Sequence, residues 1–143
     1  MLPKPTACEG CPAQEVGKGY VPGTGPADAE IAVVGQGPGA VEAGVGEPFV
    51  GPVGQRMRDW LVRAALNPHR VWLDNVCRCH LPGNREPSRA ERAHCTAAYL
   101  TPTLRALPEL KVVVAVGLPS AKSLLGNEKV TSSVVGTVER RTL

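Results

Sequence analysis

Short unbroken apolar runs and one helical stripe organise this chain. Ile31-Ala32-Val33-Val34 has no polar interruption and stops at glycine, the pattern of a strand buried on both faces in a parallel sheet. Val71-Trp72-Leu73-Asp74-Asn75-Val76 predicts a second strand, and Lys111–Val116 a third buried one. Val53, Met57, Trp60, Leu61 and Ala64 recur at helical spacing, with Arg56, Arg58, Asp59 and Arg63 on the other face. An amphipathic helix is therefore expected over Val53–Leu66, ended by Asn67-Pro68. Ser88-Arg89-Ala90-Glu91 reads as a capping box opening a helix to about Leu100, which Pro102 should break or kink. Pro119 starts a short helix to Leu125, and Val130–Val138 has the composition of a further strand. The order predicts an α/β fold: three layers, α/β/α, around a central four-stranded, mainly parallel sheet.

The segments between these elements are rich in glycine and proline, 16 and 14 residues respectively. Residues 1–30 form a loop-rich lead-in. Gly39–Pro52 reads as a long structured loop in which Gly44, Gly46 and Pro48 should prevent a normal helix, and Leu81–Pro87 as a turn-rich one. Loops that long in a compact domain usually carry function. With 143 residues, 43% hydrophobic and only 3% aromatic, the chain is expected to be one domain over residues 1–143 with a core of Val, Leu and Ala. No apolar run approaches the ~18 residues of a membrane span. Met1-Leu2-Pro3-Lys4-Pro5 lacks a charged-then-apolar signal pattern, so a cytoplasmic protein is expected. The net charge of +3 permits an acidic partner without demanding one.

In open α/β sheets, ligands bind beyond the carboxyl ends of the strands. Gly35–Gly39 follows the first strand and Asn75–Cys79 the second; Gly117-Leu118-Pro119-Ser120 is a weaker third candidate. Gly35, Gly37 and Ala40 satisfy G-x-G-x-x-A, yet no acidic residue closes a second strand about 20 residues on, as a dinucleotide site requires. The plain alternative is a tight turn serving connectivity. Five cysteines are an odd count, and a disulfide framework is a poor reading in a reducing compartment. Cys8 and Cys11 form C-x-x-C, Cys77 and Cys79 form C-x-C, and Cys95 stands alone. Four thiolates suit zinc or an iron–sulfur cluster, and spacing does not choose between them. Cys77 and Cys95 read equally as small core residues, Cys77 the more so. His80 and His94 adjoin the cysteines but are expected to be solvated, like His69. Arg85, Arg89 and Arg92 cluster around a helix start, by default as a solvated face.

Taken in order, these pieces resemble the family 4, iron–sulfur, uracil-DNA glycosylases. The resemblance runs from Cys8 to about Val138. It includes Cys8-Glu9-Gly10-Cys11, Val33-Val34-Gly35-Gln36-Gly37-Pro38-Gly39 and Gly46-Glu47-Pro48-Phe49-Val50-Gly51. It continues through Asn75-Val76-Cys77-Arg78-Cys79, Asn84-Arg85-Glu86-Pro87, Cys95 and Val114-Ala115-Val116-Gly117. The family implies a [4Fe–4S] cluster on Cys8, Cys11, Cys79 and Cys95, anchoring the lead-in and the 79–95 segment, with Cys77 spare and no redox step in the cleavage. It implies base excision repair: hydrolysis of the N-glycosidic bond of uracil flipped out of DNA.

Residue by residue, the resemblance makes Phe49, the only phenylalanine, the group stacking on the base. Asn75 would read the uracil edge, its amide donating to O4 and accepting from N3–H. Glu42 would stand on the C5 side, where a thymine methyl clashes. Gly35, Gly37, Pro38, Gly39 and Asn84 would line the substrate, the glycine loop offering backbone N–H groups to the departing base. Gln36 stands where the family usually has an acid; glutamine orients water but cannot accept its proton. The chain ends at Leu143, before the family's histidine-containing His-Pro-Ser loop, so a fold lacking its C-terminal part and a reduced activity are expected. Implied partners are uracil-containing DNA and no membrane, for a nucleoid-associated monomer. Two other readings stay open: a catalytically weak binder of uracil or single-stranded DNA, and a zinc-stabilised structural domain of a larger phage or polymerase-associated assembly. The repair reading requires that the turn after the first strand, Phe49 and Asn75 converge on one cavity.

Overall fold

A computed structural model describes residues 1–142. Three strands, β1 (Ile31–Gly35), β2 (Val71–Asn75) and β3 (Val112–Ala115), form one parallel sheet in the order β2-β1-β3. The register pairs Ile31 with Val71 and with Val112, and it brings Gly35 opposite Asn75. The helices are α1 (Ala40–Val45), α2 (Pro52–Arg63), α3 (Arg89–Cys95), α4 (Thr101–Arg105) and α5 (Leu118–Leu125).

Alternation along β1 divides the core into two layers. Ala32 and Val34 pack with Val76, Leu100, Leu104 and Leu107 on one face. On the other, Val33 packs with Phe49, Met57, Leu61, Val71 and Leu73. Helical residues thus cover both faces, as the three-layer reading expects, and Ser120 Oγ on α5 donates to the Val34 carbonyl at 2.7 Å. Among the described residues, no helix is long and apolar enough to cross a membrane.

Four expectations are corrected. The sheet has three strands, not four: the Val130–Val138 segment contains a 3-10 turn at Ser132–Val134 in place of a strand. β3 is an exposed edge, with Val112 at 50% and Val114 at 42% exposure, because only β1 pairs with it among the described residues. The Gly39–Pro52 loop does contain a helix. α1 starts directly after Gly39 and ends at Gly46, whose φ of 87° gives the left-handed cap that glycine tolerates. On α2, Gly54, Met57 and Leu61 face the core, whereas Val53 and Trp60 face solvent. The helical stripe is narrower than its apolar residues imply.

The capping box forms as read: Ser88 Oγ accepts from the Glu91 N–H at 3.2 Å, and Glu91 accepts from the Ser88 N–H at 2.7 Å. Pro102 does not break the helical path. A π turn over Thr96–Leu100 precedes α4, and widening of this kind accommodates the lost proline donor.

Candidate active site and cysteine centre

The carboxyl ends of β1 and β2 open onto a cleft of about 1280 Å³, measured out to the solvent. Every substrate or catalytic candidate read from the sequence lines it: Gly35, Gln36, Gly37, Pro38, Gly39, Glu42, Phe49, Asn75 and Asn84.

Gly35 makes the centre of this cleft possible. A Cβ there would stand 2.5 Å from Asn75 Oδ1 and 2.8 Å from Phe49 Cζ, so the asparagine amide and the phenylalanine ring meet at the space a side chain would fill. The required convergence is present. Asn75 is buried at the end of β2, its N–H bonded to Asp74 Oδ1 at 2.8 Å. Among the described residues, nothing engages its side-chain amide. Phe49 belongs to the core layer of Val33, Met57 and Leu61 and also meets the cleft, so packing and site contact coexist in one ring.

Phe49 has φ 56°, in the left-handed region that an aromatic side chain disfavours. Such a backbone costs about 1–3 kcal/mol and persists only where neighbours over-determine it. Two residues of α2 do so. Arg58 Nη1 donates to the Phe49 carbonyl. A Cβ on Gly54 would stand 1.8 Å from that same oxygen, so only glycine admits it. Neither residue was singled out from the sequence for this role, although a lone glycine inside a helical pattern is itself a signal of close packing. Asn84, at φ 54°, holds the far lip in the same region, after Gly83 at 63°.

Glu42, on α1, accepts from the Gly51 N–H at 2.8 Å, so its carboxylate staples the two ends of the glycine-rich loop while facing the cleft. Gln36 lines the cleft and accepts the Cys77 N–H through its carbonyl at 3.1 Å. His80 is not a free solvated side chain: its ring Nδ1 lies 3.2 Å from the Pro38 carbonyl, bracing the glycine turn. His94 Nε2 similarly reaches the Ala7 carbonyl at 2.9 Å.

Behind the cleft lies a second hollow of about 370 Å³, whose walls include all five cysteines. Cys77 and Cys79 line both spaces. Cys77 is buried, as expected of the spare thiol, but it faces Cys95 rather than a purely apolar core. Cys95 Sγ accepts from the Arg78 N–H at 3.3 Å, and the Cys77 thiol with the nearby Arg78 favours the thiolate there. Burial raises the Cys79 thiol to about 11 despite the pull of Lys4, and burial raises Cys11 as well. Gly17 lies against this set, since a Cβ on it would stand 2.4 Å from Cys79 Sγ. The donors are soft and gathered on one cradle, which fits a thiolate-bound metal centre. Among the described residues, no three His, Cys, Asp or Glu side chains close on one point tightly enough for a single metal ion.

One residue outside the expected set ties the wall of the cysteine hollow to the end of β2. Arg78 is buried and donates to Asp74 twice, to Tyr20 Oη at 3.0 Å and to Thr103 Oγ1 at 3.0 Å, with its guanidinium over the Tyr99 ring. The Arg85–Arg89–Arg92 cluster, by contrast, is no uniform solvated face. Arg85 pairs with Glu91 at 2.7 Å although it is exposed, Arg92 is buried against Glu128 at 2.5 Å, and Arg89 is exposed outside both pairs.

Residues 22–142 match the model of the uracil DNA glycosylase superfamily. The chain is 37% identical over 118 residues to a type-4 uracil-DNA glycosylase of Pyrobaculum aerophilum, covering 82% of this chain and 59% of that protein. A type-4 uracil-DNA glycosylase of Archaeoglobus fulgidus is 37% identical over 111 residues, covering 78% and 55%. One from Thermotoga maritima is 32% identical over 128 residues, covering 90% and 66%. The chain therefore spans somewhat over half the length of the first two relatives. With the family match lying over most of the chain and a cleft at the strand ends, this protein belongs to the uracil DNA glycosylase superfamily.

Proposed function

We propose that this chain binds uracil flipped out of DNA and hydrolyses its N-glycosidic bond. One observation carries the reading: at Gly35 the missing side chain lets the Asn75 amide and the Phe49 ring share one point of the cleft. The ring offers a face to any base, and stacking of this kind contributes about 1–3 kcal/mol without choosing the base. The free Asn75 amide makes the choice, donating to O4 and accepting from N3–H; cytosine reverses both. A site built to pair one edge rejects the other, because its buried groups are left unsatisfied. Gly37 and Gly39 expose backbone N–H groups toward the departing base, where negative charge develops. Glu42, fixed by Gly51, limits the C5 side against a methyl group. The names of the relatives and the family match support the same chemistry.

Cys8, Cys11, Cys79 and Cys95 would hold a [4Fe–4S] cluster, the choice of iron–sulfur over zinc resting on the resemblance. Its contribution would be structural, with those cysteines tying residues 1–30 and the end of α3 to the segment after β2. The partner is DNA containing uracil, for a monomer working at the nucleoid in the cytoplasm.

A second reading is favoured by Gln36. It lines the cleft at the position where the family usually has an acid that could activate water, and an amide cannot take up that proton. The chain would then hold uracil with little turnover. Incubating purified, iron-replete protein with a uracil-containing oligonucleotide, followed by alkaline strand scission, separates the two. Scission establishes the glycosylase; retention of the oligonucleotide without scission at enzyme excess establishes the binder; neither rejects both.

A further inference from the structure

We propose that Arg58 is a positioning residue that acts through Phe49: with Gly54, it holds Phe49 in the backbone conformation that turns the ring into the cleft. The inference rests on the reading of Phe49 as the base-stacking group and adds what makes that ring available.

The argument is geometric. Phe49 lies between α1 and α2, after the left-handed cap at Gly46 and the buried Pro48. Its φ of 56° is not one that an unconstrained phenylalanine keeps. In an extended conformation the same ring would leave Gly35 and Asn75. Three contacts oppose that change. The Arg58 guanidinium holds the carbonyl. Gly54 leaves the space that this carbonyl occupies, 1.8 Å from where any Cβ would stand. Val33, Met57 and Leu61 receive the body of the ring. Of the three, only Arg58 acts through a charge-assisted hydrogen bond of fixed direction, and it is half-buried on a rigid helix. Its role is to orient the ring before the base arrives, so that binding does not have to order it.

Phe49 is the sole phenylalanine, so labelling with ¹⁵N-phenylalanine gives one backbone amide resonance that reports this residue alone. The iron-replete 143-residue chain is titrated with free uracil and assayed on a uracil oligonucleotide. It is compared with Arg58→Ala, Arg58→Lys, Phe49→Ala and the Arg58→Ala/Phe49→Ala pair. The expected result is that Arg58→Ala moves the Phe49 resonance and weakens uracil binding and kcat/KM together by about tenfold. Arg58→Lys should restore most of each. In the Phe49→Ala background, Arg58→Ala should cost nothing further, since both changes remove one device. An unmoved Phe49 resonance in Arg58→Ala, or a full additional loss in the Phe49→Ala background, would overturn the inference. If Arg58→Ala moves the resonance but uracil neither shifts it in the parent protein nor is released from DNA, the clamp exists and the uracil reading fails, and the functional role assigned to Arg58 fails with it.

Discussion

Arg78 and Asp74 meet as a two-point ion pair sealed inside the protein, Nε to Oδ1 at 3.0 Å and Nη2 to Oδ2 at 2.6 Å. The same Asp74 Oδ1 receives the Asn75 N–H, and the Arg78 N–H reaches Cys95 Sγ. The pair therefore links Asn75, which lines the cleft, to Cys95 in the cysteine hollow. Removing one partner strands a buried charge, at a cost of about 3–5 kcal/mol. Arg78→Met should lower stability by that amount in chemical denaturation. Arg78→Met combined with Asp74→Asn should recover a large part, and equal instability of the double variant would show that the pair is not the source.

On the proposed reading Asn75 chooses the base, so its amide should matter more to turnover than to folding. Asn75→Ala should lower kcat/KM on uracil DNA at least ~100-fold, equivalent to about 2.7 kcal/mol of transition-state stabilisation. Its denaturation midpoint should change little, because the lost amide has no partner in the described protein. Single-turnover kinetics and a urea melt measured on the same sample check both halves.

Gln36→Glu should raise the rate of uracil release. A carboxylate facing the cleft accepts the proton of the attacking water and offsets positive charge on the sugar, and a placed general base is worth about 10²–10⁴-fold. The variant should also acquire an acidic limb, its rate rising with pH as the new carboxyl ionises. A pH–rate profile flat through the acid range would place the attacking water elsewhere.

Glu91 is held at about 2, chiefly by the Arg85 guanidinium and also by its capping bond to Ser88. A depressed carboxyl contributes stability that is complete above its unfolded value near 4.5 and is lost as pH falls through about 2. Arg85 is 42% exposed, so solvent screening keeps the contribution of the pair small. The stability advantage of the parent over Arg85→Ala should hold near neutral pH and close progressively below about pH 4.5. Denaturant titrations of both proteins across that range test it.

The cysteines should divide four to one. Serine at Cys8, Cys11, Cys79 or Cys95 should reduce bound iron and acid-labile sulfide, whereas Cys77→Ser should retain both, since a hydroxyl preserves the donor toward Cys95. Metal and sulfide analysis of freshly purified protein gives the answer; zinc in place of iron would overturn the cluster.

Much of the framework was legible in single segments. The apolar runs at β1 and β2 and the Ser88–Glu91 capping box depend on residues a few positions apart, and they form where their patterns lie. The cleft candidates were legible too, because parallel strands deliver their carboxyl-end loops to one side. Side-chain environment was less so. Trp60 fits the helical stripe of α2 yet is 56% exposed, since the sheet accepts only the Gly54–Met57–Leu61 face. Lys111–Val116 reads like β1, but an identical apolar pattern is central or marginal according to how many strands flank it.

Local chemistry thus set where strands, caps and turns arise and which residue types stand at the strand ends, because those properties are decided within a turn or two of chain. Assembly alone brought Phe49 under the hold of Arg58, placed Tyr20, Tyr99 and Thr103 on Arg78 and gathered cysteines from three segments around one hollow. These pairings join residues whose proximity depends on which layer each element packs against, and no neighbouring sequence encodes that.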